Sequence, residues 1–508
     1  MTKRLWFYAL AMVLVPWSAA RAADPHAVLQ QAMQAMGGET RLRAIHAIEY
    51  TAVGERQMVE QSERPSGPYF LDHYRVHEVR DLDGDRTRIE STHEGYVADH
   101  WWTKEVPGTS VLVINGEAAA IVNDGKFQYA GGAGVSQNDD QAAFGPERVL
   151  LTAAGASNLR SLPDVTLHGV RHHVLAFTYR GIPVTLAINA DNGLPWQITY
   201  TRAYPYQVFW NAWGDVTTTL TFTAWSLEPN GVPYPREWTY RRGDLPDTQF
   251  FIVDLHVNPA LDDAQLTIPH DILAAHPSPT AIDDYKLGYA GDGPPHDLAP
   301  GITQYPGGWN VEFVKQSDGV VMIEAPWSSD YTKQAIAQAR RTYGLPVKAV
   351  ITTSDSWPHI AGVREAVAQG ITVYALDLNG PILRRLLAAP HTMRPDDLQR
   401  HPRAARLILV TDPTTIGSGP DRLTIYPYRT ETGERQMMVY APEYRLLYTS
   451  DLFSMDSGPT DWFTPQYLAE AVSAIDRYHL QPKTVFGMHY GETPYQTVLD
   501  IVRAIPSS

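Results

Sequence analysis

Hydroxyl, carboxylate and imidazole side chains crowd one short run, Thr352-Thr353-Ser354-Asp355-Ser356-Trp357-Pro358-His359-Ile360-Ala361-Gly362. These residue types are the material of two chemistries. In the first, Ser354 or Ser356 is a nucleophile and His359 or the distant His489 its base. No G-x-S-x-G turn surrounds either serine, which counts against it. In the second, imidazole and carboxylate hold a metal ion, a task for which neutral hydroxyls are poor. Asp355 and Glu431 are further carboxylates, but the alternation of side chains along the loop gives them no support as ligands. His172-His173 is a poor metal clip, because adjacent strand residues point to opposite faces. The chain has no Cys, so it has no thiolate nucleophile, no thiolate ligand and no disulfide.

The elements around that run must position it. An apolar strand, Val347 to Ile351, leads in; a helical segment, Gly362 to Gln369, leads out; a second buried strand, Ile371 to Ala375, follows. Upstream, Gly308 to Val314 and Gly319 to Pro326 read as a hairpin closing on Glu324-Ala325. Downstream, Met437 to Glu443 and Arg445 to Phe453 read as a strand pair containing Asp451, and Lys483 to His489 reads as a last strand.

In this order the pieces resemble the metallo-β-lactamase superfamily over roughly residues 295 to 505. The metal loop of that family reads T-H-x-H-x-D-H-x-x-G. Laid on it, Ser354 and Ser356 replace two His, Pro358 replaces the Asp, and His359 and the turn glycine are kept. The family's later His, in an H-T-x-G turn, corresponds to Thr430 of Thr430-Glu431-Thr432-Gly433. Its bridging Asp and terminal His correspond to Asp451 and His489. The resemblance therefore implies that the first metal site is lost. The second keeps three protein ligands, His359, Asp451 and His489, each on its own strand or loop. Two imidazoles and one carboxylate suit a single zinc or iron ion. Two functions stay open: a mononuclear metal-dependent hydrolase of unknown substrate, or a catalytically inactive binding or scaffold protein of the cell envelope.

The N-terminus favours export. Lys3-Arg4, an apolar run from Leu5 to Pro16 and Ala20-Arg21-Ala22 make a secretory signal cleaved after Ala22. That run is too short to span a bilayer. A periplasmic or secreted protein is expected. The formal charge of -15 argues against nucleic acid, whose phosphates need a basic face.

A chain of 508 residues implies more than one domain. After the signal (1–22), a β-rich domain is expected over 23–275. Pro25 to Met36 opens it as a helix, and short alternating strands turn at Asn115-Gly116, Asn123-Asp124-Gly125 and Asn192-Gly193. One helix, near Gln141 to Ala154, interrupts them. The texture from Tyr200 to Asn258 resembles the half-barrel of bacterial lipoprotein carriers. That resemblance implies a groove for a small-molecule or lipid-like ligand. Trp101-Trp102, Trp210 and Trp213 are core or ligand-facing aromatics. A Pro/Gly/Ser-rich linker, 276–300, precedes the metallo-β-lactamase-like domain, 301–508, with helices at Asp330 to Tyr343, Pro381 to Leu387 and Pro465 to Arg477. The fold class expected is α+β: an antiparallel β-rich domain followed by an αββα sandwich.

Overall fold

Period-two alternation dominates the first half of the chain. The computed structural model describes residues 23–61, 66–95, 109–132, 140, 143–276, 278–430, 435–453 and 465–503. Among these, the strands from Ala47–Gln57 to Leu245–Val257 form one 13-stranded antiparallel sheet. Six strands, Ala47–Gln57 to Lys126–Gly131, zigzag outward on one side. Seven more, Leu245–Val257 back to Arg160–Leu167, do so on the other. The halves join where Ala47–Gln57 pairs with Leu245–Val257, Tyr50 opposite Leu255. The hairpins turn where expected, and Gly116 and Gly125 take φ of 54° and 72°, a region glycine enters without steric cost. Val28, Leu29, Ala32 and Met33 of the helix Pro25–Ala35 share one buried cluster with Tyr50, Leu186, Phe222 and Trp238 of the strands. Of the helix expected near Gln141 to Ala154, Val149–Gly155 is present, and 141–142 lie outside the described residues, as do Trp101 and Trp102.

The second half alternates strands with helices. Among the described residues its first sheet has seven strands. Gly319–Ile323, Val347–Ile351, Thr372–Leu376 and Leu407–Val410 run parallel in it. Parallel strands are covered on both faces, which is why Gly319–Ile323 is an unbroken buried run. The second sheet has six strands among the described residues and includes Gln436–Ala441, Leu446–Tyr448 and Thr484–Phe486. Ile351, Leu376 and Val410 of the first sheet share a buried cluster with Met437, Val439 and Phe486 of the second, so the sheets pack face to face. The other faces carry helices. Ser329–Tyr343 and Val363–Ala368 cover the first sheet, and Pro465–Arg477 and Tyr495–Arg503 the second. The protein is thus strand-rich and mixed α/β, with one very large antiparallel sheet.

The segment 276–300 is not wholly irregular. It holds a helical turn, Ile282–Asp284, and the strand His296–Ala299, which is already the edge of the seven-stranded sheet. Across it the halves pack tightly. Trp357 meets Trp210 and Trp213 edge-on, ring centroids 4.8 and 4.9 Å apart. Asp215 accepts hydrogen bonds from the Thr392 and Met393 N–H groups at 2.9 and 3.0 Å. No helix of the described residues is long and apolar enough to cross a membrane.

Candidate metal centre

Three loops converge at the open ends of the two facing sheets. The first follows Val347–Ile351 and carries His359 on a single helical turn, Trp357–Ile360. Pro358 fits the start of that turn, where a missing N–H costs nothing, and its carbonyl accepts from Trp327 N–H at 3.1 Å. Gly362 ends the loop. A Cβ there would lie 1.8 Å from Thr332 Oγ1 and 2.7 Å from the Ser328 carbonyl oxygen. The loop glycine is therefore required by close packing of Val363–Ala368 on Ser329–Tyr343, independently of any metal.

Asp451 and His489 come from the second sheet, and both lie beyond strand ends. The strand expected over Arg445 to Phe453 stops at Tyr448, and Asp451 sits in the turn closed by Leu452 N–H on Thr449 O, 2.9 Å. The last strand stops at Phe486, three residues before His489. Met488 ties these loops together: its N–H donates to Ser450 O (3.2 Å) and its carbonyl accepts from Asn310 N–H (2.9 Å). Turns replace strand here because a strand would alternate side chains away from the common point.

The ligand atoms of His359, Asp451 and His489 all lie within 4.8 Å of one another. Nε2 of His359 is 2.8 Å from Asp451 Oδ2, and Nε2 of His489 is 3.4 Å from Asp451 Oδ1. His489 is oriented from behind, its Nδ1 3.0 Å from the Gly308 carbonyl oxygen and therefore the donor. His359 is oriented by Glu324, whose Oε2 lies 3.4 Å from Nδ1. Burial opposes a charged His359, but the Asp451 and Glu324 carboxylates outweigh it and raise its pKa to about 10. Burial likewise opposes the Asp451 anion, and the two imidazoles hold its pKa well below the usual carboxylate range.

Glu324 was visible in the sequence as the acid closing a hairpin strand, but not as a site residue. It is fully buried with φ of 68°, a strained setting for a non-glycine residue. Thr353 N–H and Tyr448 O–H donate to its Oε1 at 3.2 and 3.3 Å. The aromatic wall beside His489, with Trp309 at 5.7 Å and Trp327 behind it, had no signal in the sequence.

The replaced positions also have places. Ser354 is buried and its hydroxyl accepts from Ser356 N–H at 3.1 Å, so it shapes the loop. Ser356 precedes the helical turn that carries His359. Asp355 faces away to the Arg435 guanidinium, 3.8 Å. Thr430 is half-buried, and Glu431 and Gly433 lie outside the described residues. His172 is buried and His173 bonds Asp164 at 3.0 Å, so the pair splits across its strand.

No protein-family model matches the chain, and no curated protein matches it at a significant level. Among solved structures it is similar to the DIM-1 metallo-β-lactamase, at 16% identity and a TM-score of 0.32, over 41% of this chain and 94% of that one. It is also similar to the FIM-1 metallo-β-lactamase from Pseudomonas aeruginosa in the mono-zinc form: 16% identity, TM-score 0.32, 42% of this chain and 99% of that one. A metallo-β-lactamase from Erythrobacter litoralis is similar at 14% identity and a TM-score of 0.31, over 41% and 94%. Likeness at this level carries no argument about metal, substrate or activity.

Proposed function

We propose that the protein is an exported, metallo-β-lactamase-like hydrolase that uses one divalent ion held by His359, Asp451 and His489. The observation behind this reading is the convergence of those three ligand groups, from separate loops, within 4.8 Å. The donor set fits an ion. Asp451 Oδ1 is buried without a hydrogen bond, and the Nε2 atoms of both imidazoles face the same carboxylate. A bound zinc or iron ion would supply Lewis acidity at a scissile carbonyl or ester. The chain's own contribution is orientation: Gly308 fixes the His489 ring, and Glu324 fixes His359. Removing the imidazolium proton of His359 is part of loading the site, since zinc binds the neutral ring.

Metal-depleted protein assayed on a panel of simple esters and thioesters tests this. Hydrolysis should return when one equivalent of zinc or iron is restored, and His489→Ala should abolish the return. Activity that survives chelation, or that His489→Ala leaves intact, would refute the reading.

A further inference from the structure

The large antiparallel sheet lines a cavity. The cavity, of about 570 Å³, lies between one face of the sheet and the loop Tyr206 to Trp210. Val76, Ile89, Leu112, Tyr240 and Phe250 give its lining an apolar and aromatic part. Charged side chains line it too, but each already faces an opposite charge. Arg56 is paired with Glu60 and lies in the field of Asp72. Arg242 is 3.6 Å from Asp247, and Glu78 binds the buried Arg80 at 2.5 Å. An anionic head would meet Asp72, Glu78 and Asp247. A cationic one would meet Arg56 and Arg242. A polar but uncharged group meets hydrogen-bonding partners without opposing any of these charges, while an apolar body of ordinary small-molecule size fills the rest.

One lining residue, and the ion-pair partner of another, touch the loop that carries His359. Trp210 packs on Trp357, and Glu60, the partner of Arg56, accepts a hydrogen bond at its carbonyl from Trp357 N–H at 3.2 Å. Trp357 lies two residues before His359 and is buried.

We infer that this cavity binds an uncharged amphipathic small molecule, and that Trp210 and Glu60 pass its occupancy to the loop bearing His359. Nothing in this depends on a metal.

Nile red, which is uncharged and fluoresces when buried, is the probe, added to the metal-free full chain. It should bind one site per chain. Leu112→Trp, which adds bulk at the apolar lining, should weaken binding by about tenfold or more, because the probe then loses most of its buried apolar area. Unchanged circular dichroism and melting temperature in that variant would show that the fold is intact. If Leu112→Trp does not fold, excess hexanol competing for the same site replaces it, and displacement is expected. The anionic dye ANS and a dodecyltrimethylammonium salt below its micelle concentration should not displace Nile red. Hydrogen exchange with bound dye should slow both in the cavity strands and over Trp357 to Gly362. No binding, binding untouched by Leu112→Trp and hexanol, or displacement by either charged probe would overturn the site. Protection confined to the cavity strands would overturn the link to the loop.

Discussion

His359 joins two opposed demands. With Asp451 at 2.8 Å and Glu324 at 3.4 Å, it is held as a buried imidazolium in the metal-free protein. An ion must displace that proton, so zinc affinity should climb between about pH 6 and pH 9 instead of levelling near the ordinary imidazole pKa. A zinc titration at several pH values checks this, and a plateau by pH 7 would contradict it. The same ion pair has a consequence for stability. The pKa of His359 is raised from 6.5 to about 10, so the folded metal-free chain holds the proton more tightly than the unfolded one. The resulting stabilisation is complete below pH 6.5 and disappears as pH rises through about 10. Metal-free wild type should therefore lose melting temperature on the alkaline side faster than His359→Gln. Asp451→Asn should lower zinc affinity about a hundredfold or more, since even partners behind a ligand are worth 10- to 100-fold.

Elements with a single dominant period were legible in the sequence. The strand Val347–Ile351 and the helix Pro465–Arg477 fall on the boundaries that apolar run and helical spacing give. Hairpin turns at Gly116 and Gly125 were legible because glycine marks the backbone that they require. The loops were not. Hydropathy records that Asp451 and His489 follow apolar runs, but not that the chain leaves the strand at Tyr448 and Phe486 to bring them together. Nor does it record that Glu324, an ordinary strand-end acid in the sequence, turns inward to His359. Gly362 was readable as part of a loop pattern, while its physical reason, contact with Thr332 and Ser328, needed the packing of two helices. Gly362→Ala should cost about 1–3 kcal/mol by overpacking. It should also weaken zinc binding, because the helix must move away and His359 moves with it. Chemical denaturation and a zinc titration read the two effects, and a variant as stable as wild type would show that the contact yields easily.

At the scale of the molecule, the large sheet and the paired sheets are joined by the segment 276–300, with its short turn Ile282–Asp284 and edge strand His296–Ala299, and by the packing of Trp210 and Trp213 on Trp357. We expect limited proteolysis to cut first between about residues 270 and 300, where backbone outside regular elements is accessible. The two fragments should co-elute, because the tryptophan contacts survive the cut. Trp357→Ala, which empties a buried indole site, should cost about 3–5 kcal/mol and let nicked fragments separate. Fragments of wild type that part at once would show that the halves are independent. The same whole chain is expected to hold one ion, at the three groups that converge on Asp451. Elemental analysis of protein purified with zinc and iron present decides it. One equivalent per chain, lost in His489→Ala, is the predicted result; two equivalents, or none, would contradict it.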